Sequence, residues 1–294
     1  MYFTFPPVPC TMERTDEFQA KRKTSDMDNR PIGFFDSGLG GLTCVPYLLR
    51  ELPEEKIIYF GDTARTPYGS KAAATIRNFS IEIADFLMEN DVKMIVTACN
   101  TVSAVCLKDL RDRYPGVPVV GIIRPAAEKT AKICSMENRI GVIGTKATIQ
   151  SGAYDRSIRR VNPDLQVFAT ACPALVPLIE EGIIHSDIMD LTIRYYLDDF
   201  VLENRLDTIV LGCTHYPLIR ESVERLYPDL RIVNPSAEIV ASVRAALSER
   251  DLFAENSEFV STFYASDLSE NFTNMIDCIF EDKAVSVQFK NLEL

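Results

Sequence analysis

The chain has 294 residues, 47% of them hydrophobic and 25% charged, which is the composition of a globular protein large enough to form two lobes. Its net charge of −11 argues against nucleic acid as a main partner, because phosphate binding needs clustered Lys and Arg. No apolar run approaches the roughly 18–20 residues that span a bilayer, so we expect no membrane partner. The N-terminus lacks the features of a signal peptide, so we expect a cytoplasmic protein with reduced thiols.

The first half of the chain is predicted to alternate strands with helices. Residues 1–30 carry mixed charge without periodicity, which predicts a flexible N-terminal arm. The predicted strands that follow are 32–35, 56–60, 92–98 and 117–123. The predicted helices are 42–51, one that is capped by Ser70 and runs through Leu87, and 101–112.

The second half repeats this alternation. Its predicted strands are 139–144, 166–171, 207–212 and 231–234, and its predicted helices are 125–136, 148–161, 174–181, 187–204 and 217–226. A helix at 236–250, a strand near 260–266, a helix at 268–280 and a strand at 284–289 close the chain. Such alternation predicts an α/β fold of mainly parallel sheets with helices on both faces.

Two segments of the chain are nearly the same. Met94–Thr101 and Thr208–His215 are each an apolar run, then a cysteine and short polar residues before a helical pattern. A thiol at such a strand end meets backbone N–H groups and a helix dipole that favour the thiolate. Any doubly wound protein repeats strands and helices, but this does not explain two matched cysteines, Cys99 and Cys213.

The repeat extends upstream of the cysteines, since Ile32–Ser37 is echoed by Ile140–Thr145. We therefore predict two pseudo-symmetric doubly wound domains, with the active site in the cleft between them and one thiol on each wall. The expected first domain comprises 31–122 plus 235–294, and the second comprises 123–234. Asp36, Asp62 and both cysteines follow predicted strands, where ligands bind in such folds.

The other cysteines and histidines give weaker signals. No Cys-x-x-Cys pair is present and the chain has two histidines, so no metal site is expected. His185 is predicted to lie on the surface or in a loop. The remaining cysteines in apolar or helical surroundings are expected to be inert packing residues: Cys44, Cys106, Cys134, Cys172 and Cys278.

Five motifs, in their order, resemble those of the glutamate racemase branch of the cofactor-independent amino-acid racemase family. They are Asp36–Gly41, Gly61–Thr63, Pro67–Gly69, Ala98–Thr101 and Gly212–Pro217, and the resemblance covers roughly 31–250. It implies interconversion of L- and D-glutamate without a cofactor, to supply D-glutamate for peptidoglycan and cell-wall synthesis. It also leaves open a homodimer and regulation by a peptidoglycan precursor.

The chemistry of inversion fits two thiols. Inverting a stereocentre requires a proton to leave one face and another to arrive at the opposite face, and a thiol can both accept and donate, since its ordinary pKa of about 8.5 is near working pH. Cys99 and Cys213 are therefore the predicted acid/base pair. Backbone amides, with Asn100, Thr101 and Thr214, are expected to hold the α-carboxylate, although helix capping would explain these residues equally well.

The resemblance implies roles for the other motif residues. Asp36 and Ser37 would contact the amino group and carboxylate of the substrate. Asp62 and Glu180 would tune the thiols, with His215 also placed beside Cys213 and the substrate, although a solvated position on a helix explains Glu180 equally well from the sequence alone. The side-chain carboxylate of the substrate would meet Tyr68 and Gly69.

Three alternatives remain open. A phosphate loop at Ser37–Gly41 is disfavoured, because its glycine spacing is not G-x-G-x-x-G and Asp36 would repel phosphate. A racemase for aspartate or another substrate is the nearest alternative in function, although Thr214-His215-Tyr216 resembles the glutamate branch. The third is a non-catalytic protein that binds an amino acid or regulates another enzyme.

Overall fold

The computed structural model describes residues 28–255, 260–280 and 286–292. Its strands are β1 (Ile32–Asp36), β2 (Ile57–Gly61), β3 (Met94–Thr97), β4 (Val119–Gly121), β5 (Arg139–Gly144), β6 (Gln166–Ala171), β7 (Thr208–Gly212), β8 (Arg231–Val233), β9 (Thr262–Ala265) and β10 (Ser286–Phe289). The predicted flexible arm lies outside the described residues, apart from its last three.

Helices connect nearly all of these strands. They are α1 (Val45–Glu51), α2 (Ala73–Glu89), α3 (Asn100–Val105), α4 (Leu107–Arg113), α5 (Ile123–Ile133), α6 (Lys146–Ser151), α7 (Ala153–Val161), α8 (Leu175–Glu180), α9 (Asp187–Asn204), α10 (Arg220–Leu226), α11 (Pro235–Glu249) and α12 (Glu270–Phe280). Short 3₁₀ helices cover Gly40–Cys44, Thr63–Arg65, Tyr68–Ser70 and Tyr216–Ile219. Among the described residues, no helix has the length and apolarity needed to cross a bilayer.

The strands form two parallel sheets, which confirms the predicted α/β class. The first has the order β10-β9-β2-β1-β3-β4 and the second β6-β5-β7-β8. The order β2-β1-β3-β4 matches β6-β5-β7-β8 strand for strand, so the repeat seen in the sequence is also a repeat of topology. The strands of each sheet fall within the residues expected for one domain, while the domain boundaries themselves stay a prediction.

Both faces of the first sheet are packed. Ile32 and Phe34 of β1 belong to one buried apolar cluster, and Phe35 belongs to another. Helix α2 covers the second face with Ile76 and Ile83, which are fully buried as its sequence pattern predicted. Because apolar residues point to both faces, the central strands form continuous buried runs and their carboxyl ends hold the polar residues.

Two predicted helices are each broken in two. The helix predicted at 101–112 is interrupted at Cys106, a fully buried residue whose φ of −127° and ψ of 0° leave the helical region. The helix predicted at 148–161 is interrupted at Gly152, whose φ of 64° is accessible to glycine at no steric cost. Both predictions followed apolar periodicity, which continues across a break in the backbone.

The predicted start of α2 was also wrong. Ser70 ends a 3₁₀ helix, and α2 begins at Ala73 with no side-chain cap. The helices predicted at 42–51 and 217–226 each begin with a 3₁₀ turn, and the strand predicted at 117–123 shortens to β4 because α5 already starts at Ile123. Most of these differences lie in the connections that follow β1, β2, β4 and β7, where tertiary contacts set the path of the chain.

Candidate active site

The carboxyl ends of the two sheets enclose one small cavity. From the first half of the chain it is lined by Ser37, Pro67, Tyr68, Gly69, Cys99, Asn100 and Thr101, and from the second by Thr145, Val176, Cys213, Thr214 and His215. Its volume of about 10 Å³ is the room that a single water molecule needs. The fold therefore brings the two matched cysteines, far apart in the chain, to the same closed site.

Polar contacts between the two halves close this cavity. The Thr214 hydroxyl donates to Asp36 at 3.1 Å, and the Thr43 hydroxyl donates to the carbonyl oxygen of Thr214 at 3.2 Å. The hydroxyl oxygens of Thr101 and Thr145 lie 3.0 Å apart. Their oxygen–oxygen distances are 3.0–3.2 Å, and the cavity beside them has room for little more than a water molecule.

Cys99 is the N-cap of α3, the position that its sequence predicted, and its thiol donates to the Ser37 hydroxyl at 3.5 Å. Burial raises the pKa of Cys99 to about 12, and the negative charge of Asp36 adds to this, while the bond to Ser37 opposes it. The expected thiolate is therefore not the resting form of Cys99. Desolvation outweighs the dipole of a helix only six residues long.

Cys213 has a different setting from the one expected. The structured turn after it is the 3₁₀ helix Tyr216–Ile219, so Cys213 does not cap an α-helix. Its sulfur lies 3.7 Å from Nδ1 of His215, and Nε2 of the same ring lies 2.5 Å from Oε1 of Glu180. A Glu180–His215–Cys213 chain thus leads from the partly exposed carboxylate to the buried sulfur, as the sequence predicted for His215.

The ring of His215 is poised to carry a charge. Burial by itself lowers the pKa of His215, but the negative charge of Glu180 and hydrogen bonds to Cys213 and Glu180 raise this pKa well above its ordinary value. A protonated ring donates from both nitrogens, to the sulfur on one side and to the carboxylate on the other. His185, by contrast, lies exposed in a loop, as predicted.

Asp36 is fully buried beside the cavity without lining it. Its carboxylate accepts hydrogen bonds from the Thr214 hydroxyl and from the backbone N–H of Gly38, each at 3.1 Å. Burial raises the pKa of Asp36, while the charge of His215 opposes the rise. Asp36 therefore links the loop that carries Ser37 to the turn after Cys213.

Asp62 does not contact either thiol through its described hydrogen bonds. Its carboxylate accepts from the Tyr68 hydroxyl, from Nε of Arg65 at 2.7 Å and from the Ser266 hydroxyl at 2.7 Å. These contacts hold the 63–70 loop, which presents Tyr68 and Gly69 to the cavity. Asp62 is thus placed to act through Tyr68, and its predicted tuning of a thiol stays a prediction.

The remaining predicted residues lie together at the cavity. Asn100 accepts a hydrogen bond from the Tyr154 hydroxyl at 2.7 Å, and its Nδ2 is buried without a partner. Gly69 approaches Thr145 so closely that a Cβ on this glycine would lie 2.3 Å from Cβ of Thr145. A larger residue at position 69 would therefore hold the halves apart.

Sequence reasoning missed several residues of this site. Thr145 lines the cavity and occupies the position in the second half that Ser37 occupies in the first, so the repeat contained the signal. Tyr154, Arg65 and Val176 had no such signal, because a lone aromatic, basic or apolar residue in a helix or loop is usually structural. In the described part of the chain, no group of three His, Cys, Asp or Glu side chains is arranged to hold a metal.

Four of the five predicted packing cysteines are confirmed as buried residues. Cys44, Cys106 and Cys172 are fully buried and free. Cys134 is buried as well, with its sulfur 3.7 Å from the Thr208 hydroxyl. The side chain of Cys278 lies outside the described residues.

Comparison with known proteins identifies the family. The sequence model of the Asp/Glu/Hydantoin racemase family matches residues 43–249. A glutamate racemase of Neisseria meningitidis is 44% identical over 244 residues, which is 83% of this chain and 90% of the relative.

Solved structures agree with this comparison. The glutamate racemase of Francisella tularensis in complex with D-glutamate has a TM-score of 0.83 at 36% identity, covering 91% of this chain and 99% of that one. The Escherichia coli glutamate racemase in complex with L-glutamate and the activator UDP-MurNAc-ala has a TM-score of 0.74 at 25% identity, covering 89% and 98%. This chain therefore belongs to the Asp/Glu/Hydantoin racemase family and shares its architecture with the glutamate racemases.

Proposed function

We propose that this enzyme interconverts L- and D-glutamate by proton transfer between two cysteines, without a cofactor. The observation that carries the proposal is that Cys99 and Cys213, one from each half of the chain, line the same cavity. Relatives that bind D-glutamate and L-glutamate support glutamate as the substrate over aspartate. We further propose that the enzyme is cytoplasmic and supplies D-glutamate for peptidoglycan synthesis.

In the L-to-D direction, the deprotonated sulfur of Cys213 removes the α-proton, and the thiol of Cys99 donates its own proton to the opposite face. The C–H bond breaks toward Cys213, a C–H bond forms from Cys99, and the roles of the thiols are exchanged at the end. This assignment of faces follows the family resemblance. The raised pKa of Cys99 supports it, because burial keeps this thiol protonated and ready to act as an acid.

The carbanion that forms between the two transfers needs polar stabilisation. Asn100, Thr101 and Thr214 supply amide and hydroxyl groups around the cavity that can hold the α-carboxylate as charge develops on it. The Glu180–His215 pair stands behind Cys213, where the charged ring can stabilise the deprotonated sulfur. Asp36 lies where a negative charge can attract the substrate ammonium group.

Substrate entry requires the halves to separate. A cavity of about 10 Å³ cannot admit glutamate, which is several times larger than a water molecule. The contacts of Thr214 with Asp36 and of Thr101 with Thr145 are the ones that must break and re-form. Closure around the substrate would then exclude water from the carbanion.

Regulation by an anionic peptidoglycan precursor is a further part of the proposal. It is supported by the activator bound to the Escherichia coli relative. In this chain, a cleft of about 400 Å³ between β4, α4, α5 and α11 is lined by Arg111, Arg124 and Arg250. Burial and the charge of Arg124 lower the pKa of Arg111, and an anion beside these two side chains would oppose that effect, while Glu249 also lines the cleft. A homodimer stays a prediction.

The direct test is incubation with L-glutamate in deuterated water without added cofactor, followed by optical rotation and by α-deuterium content. We expect the rotation to fall to zero while one deuterium enters the α-position of the product. Deuterium incorporation with no loss of optical rotation would show that the protein removes and returns the α-proton on one face and is not a racemase. No exchange with glutamate but rapid exchange with aspartate would favour the alternative substrate.

A further inference from the structure

Tyr154 touches the turns that carry both cysteines. It lies in the first turn of α7, two residues after Gly152 ends α6. Its hydroxyl donates to Oδ1 of Asn100, the residue after Cys99, at 2.7 Å. A Cβ on Gly212, the residue before Cys213, would lie 3.2 Å from Cε2 of Tyr154, so the tyrosine ring packs against the end of β7.

The hydroxyl of Tyr154 determines which end of the Asn100 amide faces the cavity. A tyrosine hydroxyl has one hydrogen to donate, and Oδ1 of Asn100 accepts it in the described structure. If the amide were turned by 180°, Nδ2 could donate to the hydroxyl oxygen, but the hydroxyl hydrogen would then lose the acceptor that the described residues give it. Oδ1 is therefore held toward Tyr154 and Nδ2 is held on the other side.

The opposite end of the amide is an unused donor. Nδ2 of Asn100 is buried and has no hydrogen-bond partner, and Asn100 lines the cavity between the two thiols. Leaving a buried amide donor unpaired is costly in the folded protein, so such a group points to a partner supplied by a ligand. An NH₂ donor suits a carboxylate oxygen and does not suit an ammonium group.

We propose that Tyr154 is a positioning residue of this racemase. It holds the Asn100 amide so that Nδ2 donates to a carboxylate oxygen of the bound substrate. The identity of that substrate rests on the function proposed above, whereas the orientation of the amide does not. Tyr154 belongs to the second half of the chain and Asn100 to the first, so the donor is oriented only when the halves are together.

The kinetic test uses Tyr154→Phe, which removes the hydroxyl and keeps the ring. We expect about a tenfold rise in KM for both glutamate enantiomers, with a smaller change in kcat, since an oriented donor to the ground-state carboxylate is lost. Tyr227→Phe is the matched control, because the Tyr227 hydroxyl bonds Asp198 at 2.6 Å, outside the described cavity. This control should keep the wild-type KM.

A double-mutant cycle separates positioning from general damage to the fold. In an Asn100→Ala background, Tyr154→Phe should change KM by less than about twofold, because the amide that it positions is gone. An equal loss in both backgrounds, or no loss in the native background, would overturn the proposal. Thermal unfolding of every variant shows whether each is folded at the assay temperature.

A second readout does not depend on catalysis. With ¹⁵N-labelled asparagine, the Asn100 side-chain amide signal is the one that disappears in Asn100→Ala. We expect this signal to shift in Tyr154→Phe, and in the wild type to shift again when D-glutamate is added. An Asn100 signal that is the same in the wild type and in Tyr154→Phe refutes the positioning role, even if glutamate proves not to be the substrate.

Discussion

The two sulfur atoms at the cavity differ in their polar neighbours. Cys99 donates to a serine hydroxyl near the negative charge of Asp36, and its pKa rises to about 12. Cys213 lies beside His215, a ring that Glu180 keeps protonated. On the proposed mechanism, Cys99 is the acid of the L-to-D direction.

The thiols should behave reciprocally. Cys99→Ala and Cys213→Ala should each abolish racemisation, because one face of the α-carbon loses its only acid/base group. Each variant should still exchange the α-proton of a single enantiomer, L-glutamate for Cys99→Ala and D-glutamate for Cys213→Ala, measured by deuterium incorporation. Cys134→Ala, a buried cysteine outside the described cavity, is the control. Full racemase activity in either active-site variant would contradict the two-base mechanism.

The Glu180–His215 pair predicts a pH dependence of stability. Folding raises the pKa of His215, so the charged ring stabilises the folded state. This contribution to stability is fully present below the unfolded pKa of about 6.5, and it is lost as pH rises through the folded pKa. The measured quantity is the free energy of unfolding of the wild type minus that of Glu180→Gln. We expect this difference to fall as pH rises above about 6.5, by at most about 1.4 kcal/mol per pH unit. Urea titrations from pH 6 upward measure this difference. A difference that stays constant with pH would show that the ring is not charged.

At the scale of structural elements, the 63–70 loop and α6 meet across the cleft. The Asp62 carboxylate holds this loop in place by accepting hydrogen bonds from Tyr68 and Arg65. Gly69 then comes so close to Thr145, the N-cap of α6, that the loop and the helix can touch only through a glycine. The loop therefore lines the cavity together with the N-cap of α6, and on the proposed mechanism it closes on the substrate.

Gly69→Ala should impair closure. Its Cβ would lie 2.3 Å from Cβ of Thr145, so the loop or α6 must move. We expect a loss in kcat/KM of at least about tenfold, the equivalent of about 1.4 kcal/mol, with little change in thermal stability if the halves simply stay further apart. Gly116→Ala is the matched control, since a Cβ there meets no atom within 4 Å. Unchanged kinetics in Gly69→Ala would mean that catalysis does not need the closed contact.

The same loop should set the choice of substrate. If Tyr68 and Gly69 meet the distal carboxylate, aspartate leaves donors unpaired because it is one methylene shorter. Each unpaired group costs about 1–3 kcal/mol, so glutamate should exceed aspartate in kcat/KM by at least about tenfold. Racemisation rates for both amino acids give the ratio. Comparable values would refute the role of the loop in specificity and leave the reaction class intact.

At the scale of the whole molecule, two similar halves meet at one cavity, and the proposed mechanism depends on both. Each half contributes a cysteine and polar side chains, and the described contacts between them include those of Thr43, Thr101 and Thr214. All of these residues follow residue 27 in the chain. The described chain begins with Asp28, whose carbonyl oxygen accepts from Nζ of Lys93 at 2.7 Å.

Removal of the N-terminal arm should leave the chemistry unchanged. A chain that starts at Met27 keeps the contact of Asp28 with Lys93 and every proposed catalytic residue, so it should fold and show wild-type kcat/KM. Assays of the full-length and shortened proteins, with and without UDP-MurNAc-ala, test this. Loss of activity, or of a response to the precursor, would instead show that the arm is a regulatory element.

Local sequence patterns were sufficient to predict the α/β class and nearly every strand and helix, because strand burial and helix periodicity are local properties. They were also sufficient to identify Cys99 and Cys213, because the internal repeat presents the same signal twice. Tertiary structure decided the rest. It placed Asp62 against Ser266, it paired His215 with Glu180 behind Cys213, and it made desolvation dominate the pKa of Cys99. It also broke helices at Cys106 and Gly152. These outcomes depend on burial and on contacts between residues distant in the chain, which no local pattern of sequence encodes.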